Sequence, residues 1–226
     1  MRVTTEFDPA YTYMTVELGQ GESIKVEPGA MATSQGVEMQ TGMTGGGLFG
    51  KVRRMVAGES FFVNTFTGGA GGGWVGIAPT VPGDMKSFDL EPGQDLFIQG
   101  GSFLASDLNV ELDTKFQGMR GMFSGENLFF LRAYVERGAG TVYCNCFGAI
   151  KELSVSGDQE LVVDTGHLVA FTDGVDYSIG KVGGLVSLIG GGEGLVMKFR
   201  GEGKVWVQTR TIATLADQLN PFISKN

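Results

Sequence analysis

The sequence predicts an all-β chain built from three tandem units and closed by one short C-terminal helix. Three observations carry that prediction. An acidic residue follows a glycine and opens an apolar run in Gly58-Glu59-Ser60-Phe61-Phe62-Val63, Gly125-Glu126-Asn127-Leu128-Phe129-Phe130 and Gly192-Glu193-Gly194-Leu195-Val196-Met197, with Glu59, Glu126 and Glu193 spaced 67 residues apart. Upstream of each copy, alternating apolar and polar residues run into an acidic-X-Gly turn: Ile24-Lys25-Val26-Glu27-Pro28-Gly29, Phe88-Asp89-Leu90-Glu91-Pro92-Gly93 and Leu161-Val162-Val163-Asp164-Thr165-Gly166. Between these lies a third matching element, Val37-Glu38-Met39, Val110-Glu111-Leu112 and Val175-Asp176-Tyr177. Self-similarity at a fixed spacing is the signature of a repeat architecture.

The first unit covers residues 1–78 and ends at the turn-rich junction Pro79-Thr80-Val81-Pro82-Gly83. The second covers 79–150 and the third 151–210, leaving 211–226 as a helical tail. A glycine-bearing hairpin closes each unit onto an aromatic strand, at Trp74-Val75, Val142-Tyr143 and Val205-Trp206, whose rings suit the ends of a β-barrel or sandwich core. A unit of this size buries only about 60% of its unfolded surface, so the three are expected to share edges and cores. The 38 glycines against six prolines fit many turns and bulges between short apolar strands. After the last strand the period changes from two to 3.6. Ile212, Leu215, Ala216 and Leu219 fall at i, i+3, i+4 and i+7 behind a Thr211 cap, and Asn220-Pro221 ends the helix, which should pack across the sheet or against a neighbouring chain.

A net charge of −8 repels a phosphate backbone on average and disfavours nucleic acid as a partner. The segment Met1 to Asp8 lacks the charged and apolar regions of a signal peptide, and no apolar run approaches the ~20 residues that span a bilayer, so a cytoplasmic location is expected. Cys144 and Cys146 share one face of a strand. Two ligands are too few for a structural zinc site and the spacing is not that of a redox pair, so both are read as buried, reduced and inert.

The segments before the three Gly-Glu pairs are glycine-rich yet carry large apolar side chains: Leu48 and Phe49; Met119, Met122 and Phe123; Leu185 and Leu188. Apolar surface of that kind needs a cover. Two readings stand, a docking surface for a protein partner or membrane, and an interface between subunits. Lys51, Arg53 and Arg54 add positive charge to the first segment, at about 1 kcal/mol each near an anionic membrane. Glu59, Glu126 and Glu193 are read as a structural motif whose carboxylates accept backbone N–H bonds, not as a catalytic set. His167 is the single histidine, too few for a cupin-type metal wall, and no serine hydrolase triad can be assembled around it. The tracts Gly68 to Gly73 and Gly190 to Gly192 do not open helices, so they are hairpin turns and not phosphate cradles. No cofactor, metal site or catalytic residue is expected.

Gly58-Glu59-Ser60-Phe61-Phe62 behind a Gly-Gly-Gly-Leu-Phe-Gly segment, the Pro-Gly turns and the closing Val205-Trp206-Val207-Gln208-Thr209-Arg210 resemble the altered-inheritance-of-mitochondria twenty-four family over nearly the whole chain. The resemblance implies a fold similar to the tryptophan RNA-binding attenuation protein, with three short double-stranded β-helix units per chain in a pseudo-threefold arrangement and a homotrimer forming a ring of nine units. Its mitochondrial relatives are linked to inner-membrane organisation, and no catalytic residue carries over. RNA binding by the attenuation protein depends on basic residues between its subunits, and this acidic chain departs from that requirement. The expectation is a non-enzymatic oligomeric scaffold or binding module, cytoplasmic or peripheral to a membrane. The alternative is a cupin-like small-molecule or metal-dependent enzyme.

Overall fold

The computed structural model describes residues 1–43, 61–113, 129–181 and 195–223. These residues are predominantly β, arranged in four antiparallel sheets with one short α-helix. The first sheet has the order β1 (Arg2–Glu6), β2 (Tyr13–Leu18), β7 (Gly73–Ile77), β4 (Met31–Gln35). The second runs β5 (Val37–Met43), β6 (Phe62–Gly68), β3 (Ser23–Val26), β10 (Phe103–Asp107), β13 (Gly140–Asn145), β8 (Met85–Leu90). The third runs β11 (Val110–Asp113), β12 (Phe130–Val135), β9 (Leu96–Gln99), β16 (Leu168–Thr172), β19 (Gly203–Gln208), β14 (Ile150–Val155). The fourth comprises β15 (Leu161–Asp164), β18 (Leu195–Gly201) and β17 (Val175–Lys181). No sheet closes on itself among the described residues, so the barrel-like closure expected from the sequence is replaced by open sheets that hand over to one another.

Side-chain alternation places the core. On β2, Met14, Val16 and Leu18 are buried while Glu17 is exposed, the period-2 pattern of a strand with one wet face. On β10 and β16 four consecutive residues are buried, because each strand sits inside a six-stranded sheet and packs on both faces. Three apolar clusters result. One surrounds Met14, Ile24 and Phe66, a central one surrounds Ile98, Phe103 and Leu131, and a third surrounds Phe171, Phe199 and Val205.

The pairing that joins these clusters is between strands far apart in sequence. β3 pairs with β10, Val26 opposite Ala105, and β9 pairs with β16, Ile98 opposite Ala170. A register shift falls between Phe103 and Ala105 in β10, between Leu168 and Ala170 in β16, and between Met31 and Thr33 in β4. Extra residues of this kind bend a strand, which lets it pair with different partners on its two edges. One part of the sequence reading is corrected here. Phe88-Asp89-Leu90 belongs to β8, which pairs with β13 as β2 pairs with β7, whereas β9 takes the place that β3 and β15 take in their own sheets.

The junction at Gly83 is tighter than its sequence suggests. Gly83 forms a parallel bridge with Gly148, its carbonyl accepts from Thr12 N–H, and Asp84 N–H donates to the Gly148 carbonyl at 2.8 Å. A Cβ at Gly83 would run into the Cys146 carbonyl oxygen and lie 2.8 Å from Gly148 N, both of them backbone atoms with little room to yield. Gly83→Ala should therefore cost about 2 kcal/mol in urea unfolding, whereas Gly71→Ala, with open space around its Cβ, should cost less than about 1 kcal/mol.

Helix α1 (Ile212–Leu219) begins as its pattern predicts, with Thr211 Oγ1 accepting from Thr214 N–H at 3.1 Å. Its apolar face is not covered by the sheets, since Ile212 is 62% exposed and Leu219 48%. Of the closing aromatic residues, Trp206 is buried edge-on against Phe88 with centroids 4.7 Å apart and donates its indole N–H to Glu152. Trp74 is half-buried and donates to Gln35.

Candidate functional site

All ten candidate docking residues, Leu48, Phe49, Lys51, Arg53, Arg54, Met119, Met122, Phe123, Leu185 and Leu188, lie outside the described residues, as do Glu59, Glu126 and Glu193. The strands that bracket their segments are described. Residues 44–60 connect β5 to β6, 114–128 connect β11 to β12, and 182–194 connect β17 to β18, and in each case the two strands pair with each other. Phe61, which follows the first segment, lies 6.4 Å from the ring of Phe129, which follows the second. The strands β6 and β12 therefore begin side by side.

His167 sits in the short 3₁₀ turn between β15 and β16. Its Nδ1 lies 2.6 Å from the Gln208 carbonyl oxygen, which can only accept, so Nδ1 carries the proton and the ring ties that turn to β19. Cys144 and Cys146 are free thiols and buried, and burial raises both, Cys146 to about 11, which keeps them protonated near neutrality. Among the described residues no group of three or more His, Cys, Asp or Glu is placed to hold a metal ion, and no helix is long and apolar enough to cross a membrane.

Where the turns after β3, β9 and β15 approach one another, a cavity of about 420 Å³ opens under the start of α1. Most of the polar groups around it are spent within the fold. The Gln99 side chain accepts from Gly101 N–H at 2.9 Å, and Thr165 Oγ1 donates to the Leu195 carbonyl at 2.9 Å. Gln208 accepts from Phe147 N–H at 2.9 Å and donates to the Gly166 carbonyl at 2.8 Å. Two groups stand apart. Asn145 is 3% exposed and its Oδ1 has no hydrogen-bond partner among the described residues. Glu27 is half-buried, and burial alone raises its carboxyl from an ordinary 4.5 to about 7. Sequence reasoning placed Glu27 only in a turn, because Glu-Pro-Gly signals a bend and says nothing about what folds over it.

The sheet edges form a second feature. β10 pairs with β13 on one side and β3 on the other, and β16 pairs with β19 and β9. The strand placed like them in the first sheet, β4, pairs among the described residues only with β7, and all five of its residues are exposed. At the other end β15 pairs among the described residues only with β18, where β3 and β9 have two neighbours each.

Residues 4–210 match the family described as Mitochondrial biogenesis AIM24. The chain belongs to that family. An uncharacterized protein of Streptococcus pyogenes serotype M6 is 29% identical to this AIM24 chain over 231 residues, covering 99% of it and 91% of the relative. The crystal structure of a protein from Streptococcus pyogenes is similar throughout, with a TM-score of 0.77 at 28% identity, covering 98% of this chain and 99% of that one.

Proposed function

We propose that this AIM24 chain is a non-enzymatic scaffold unit that joins copies of itself head to tail into a closed homotrimer. In this reading the units 1–78, 79–150 and 151–210 are three copies of one short double-stranded β-helix in a pseudo-threefold arrangement, with 211–226 as a tail. The observation that carries it is the mismatch at the two ends. Inside the chain, the strand after each bulge-bearing corner meets the preceding unit through β3–β10 and β9–β16, and the same join has one free half on β4 and the other on β15. Free edges invite pairing with another chain, and a heterologous contact that closes a ring covers this pair of edges in every copy. Transferring the internal register places Thr33 opposite Val163, Ser34 opposite Val162 and Gln35 opposite Leu161 of the next copy. The apolar segments around Phe49, Phe123 and Leu188 then repeat around the ring as docking surfaces for a protein partner or a membrane, at a peripheral cytoplasmic location.

Opposed residues in an antiparallel pair have Cα atoms about 4.5–5.5 Å apart, which suits a disulfide. Ser34→Cys combined with Val162→Cys should, on mild oxidation, yield a covalent product of three 24.0 kDa chains, while each single variant and the off-register pair Ser34→Cys with Val163→Cys should not. Ser34 and Val162 are both exposed in the single chain, so neither change disturbs its core. A wild-type monomer in light scattering at micromolar concentration, or an intrachain product of unchanged mass, would overturn the ring.

A further inference from the structure

Among the described residues nothing covers the apolar face of α1. Ile212, Leu215 and Leu219 are exposed along it, and Phe222, in the 3₁₀ turn that follows, is 85% exposed. A stripe of that kind needs a cover. A membrane surface is a poor one, because residues 212–223 contain no lysine or arginine and their single charge is Asp217. The joins inside the chain locate a better one. The residues that lead into β2, β8 and β14 are linked in series: Thr12 N–H donates to the Gly83 carbonyl, Gly83 bridges to Gly148, and Asp84 N–H donates to the Gly148 carbonyl. Strand register makes Tyr11-Thr12, Gly83-Asp84 and Gly148-Ala149 equivalent pairs. Among the described residues the series ends at Gly148-Ala149, so in a head-to-tail ring its next member is Tyr11-Thr12 of the following copy. That is also where α1 begins, since Arg210 N–H donates to the Phe147 carbonyl and Ala149 N–H to Thr209 Oγ1.

We propose that the exposed face of α1, with Phe222 behind it, packs against Phe7 and Tyr11 of the next copy and forms a second contact at every join. The contact rests on the head-to-tail ring and gives a partner to a face that the β4–β15 pairing leaves bare. The receiving loop, between β1 and β2, is built to present apolar surface. Phe7 is 71% exposed and Tyr11 73%. Phe7 also lies at φ +62°, in the left-handed region that a bulky side chain enters at a cost, and backbone strain of this kind gathers at sites of contact and function. Neither half is buried in the single chain, so the contact contributes to assembly and not to folding.

Two measurements on the full-length protein test this. In sedimentation analysis, Leu215→Asp combined with Leu219→Asp should raise the concentration at which the trimer dissociates by about tenfold or more, and Phe7→Gly should do the same. Neither should lower the melting temperature of the dissociated chain, and glycine at position 7 relieves the left-handed strain, which separates a lost contact from a lost fold. The ring closed covalently through Ser34→Cys and Val162→Cys gives the direct readout. Amide exchange in residues 212–222 should slow about tenfold on closure, and Phe7→Gly in the same ring should abolish the slowing. A closed ring in which that segment exchanges as fast as in the separate chain would overturn the α1 contact and leave the ring standing. The α1 contact also fails if Leu215→Asp with Leu219→Asp leaves the trimer intact, and loss of binding to phosphatidylglycerol vesicles in that variant would make α1 a membrane contact instead. A wild type that stays monomeric overturns contact and ring together.

Discussion

Replacing Phe171 with alanine should destabilise the chain by about 5 kcal/mol, the upper end of the range for a buried phenylalanine. Phe171 is 1% exposed and is the hub of an aromatic cluster. Its ring stacks on Phe97 at 5.0 Å and meets Phe130 at 5.6 Å, Tyr177 at 5.3 Å and Phe199 at 5.3 Å. Each well-oriented ring pair contributes about 0.5–1.5 kcal/mol beyond the area it removes from water, so truncation loses several such contacts together with the transfer term. These rings come from β9, β12, β16, β17 and β18, so the cavity left behind has walls on two sheets and little freedom to collapse. Thermal unfolding should fall by roughly 10–20 °C. Phe62→Ala, at a residue 43% exposed, should cost less than about 1 kcal/mol. A loss below about 2 kcal/mol at Phe171 would mean that the third cluster is not a single packed unit.

The stability of the wild type should fall between pH 4.5 and pH 7 through Glu27, and Glu27→Gln should remove that fall. Burial raises this carboxyl from 4.5 in the unfolded chain to about 7 in the folded one, so within that window the folded state holds the extra proton. Stability decreases with pH wherever the folded state binds more protons, so the neutral side chain's contribution is intact below pH 4.5, lost progressively up to pH 7, and constant above. At ~1.4 kcal/mol per pH unit the window corresponds to at most about 3.5 kcal/mol, and to about 2–3 kcal/mol once the solvent still reaching the half-buried side chain is allowed for. Glu22, Glu152 and Glu160 are shifted the other way by hydrogen bonds and cations, so the absolute curve mixes both signs. The comparison between wild type and Glu27→Gln isolates one group. Urea unfolding at pH 4 should find the two equal, and at pH 8 should find the glutamine variant more stable by about 2–3 kcal/mol. Equal stability at both pH values would place the Glu27 carboxylate in water.

Much of the local structure is legible in the sequence because it is written in short-range chemistry. Thr211, the i, i+3, i+4, i+7 stripe and Asn220-Pro221 define α1 almost to the residue. Val37, Val110 and Val175 each open a strand, as their alternation requires. The partnering of strands is not local, and there the reading slips. Phe88-Asp89-Leu90-Glu91-Pro92-Gly93 copies the alternation and the Pro-Gly turn of Ile24 to Gly29, while the strand that holds the corresponding place, Leu96-Phe97-Ile98-Gln99, is a continuous apolar run without an acidic turn. Its two-sided burial inside a six-stranded sheet removed the alternation that identified its counterpart. The cavity was invisible for a related reason. Glu27, Asn145 and Ile212 are far apart in the chain, and their meeting depends on how three turns converge.

The handover of strands from one sheet to the next has a consequence during synthesis. Val26 finds its partner only when Ala105 has been made, 79 residues later, and Ile98 must wait 72 residues for Ala170. At roughly 5–20 residues per second the ribosome leaves each of these edges bare for about 4–16 seconds. A growing chain therefore carries an open strand edge through most of its translation. On a crowded polysome, the neighbouring nascent copy offers the same edge at the same stage, so the pairing that joins one apolar cluster to the next is also the one that nascent chains must avoid making too early.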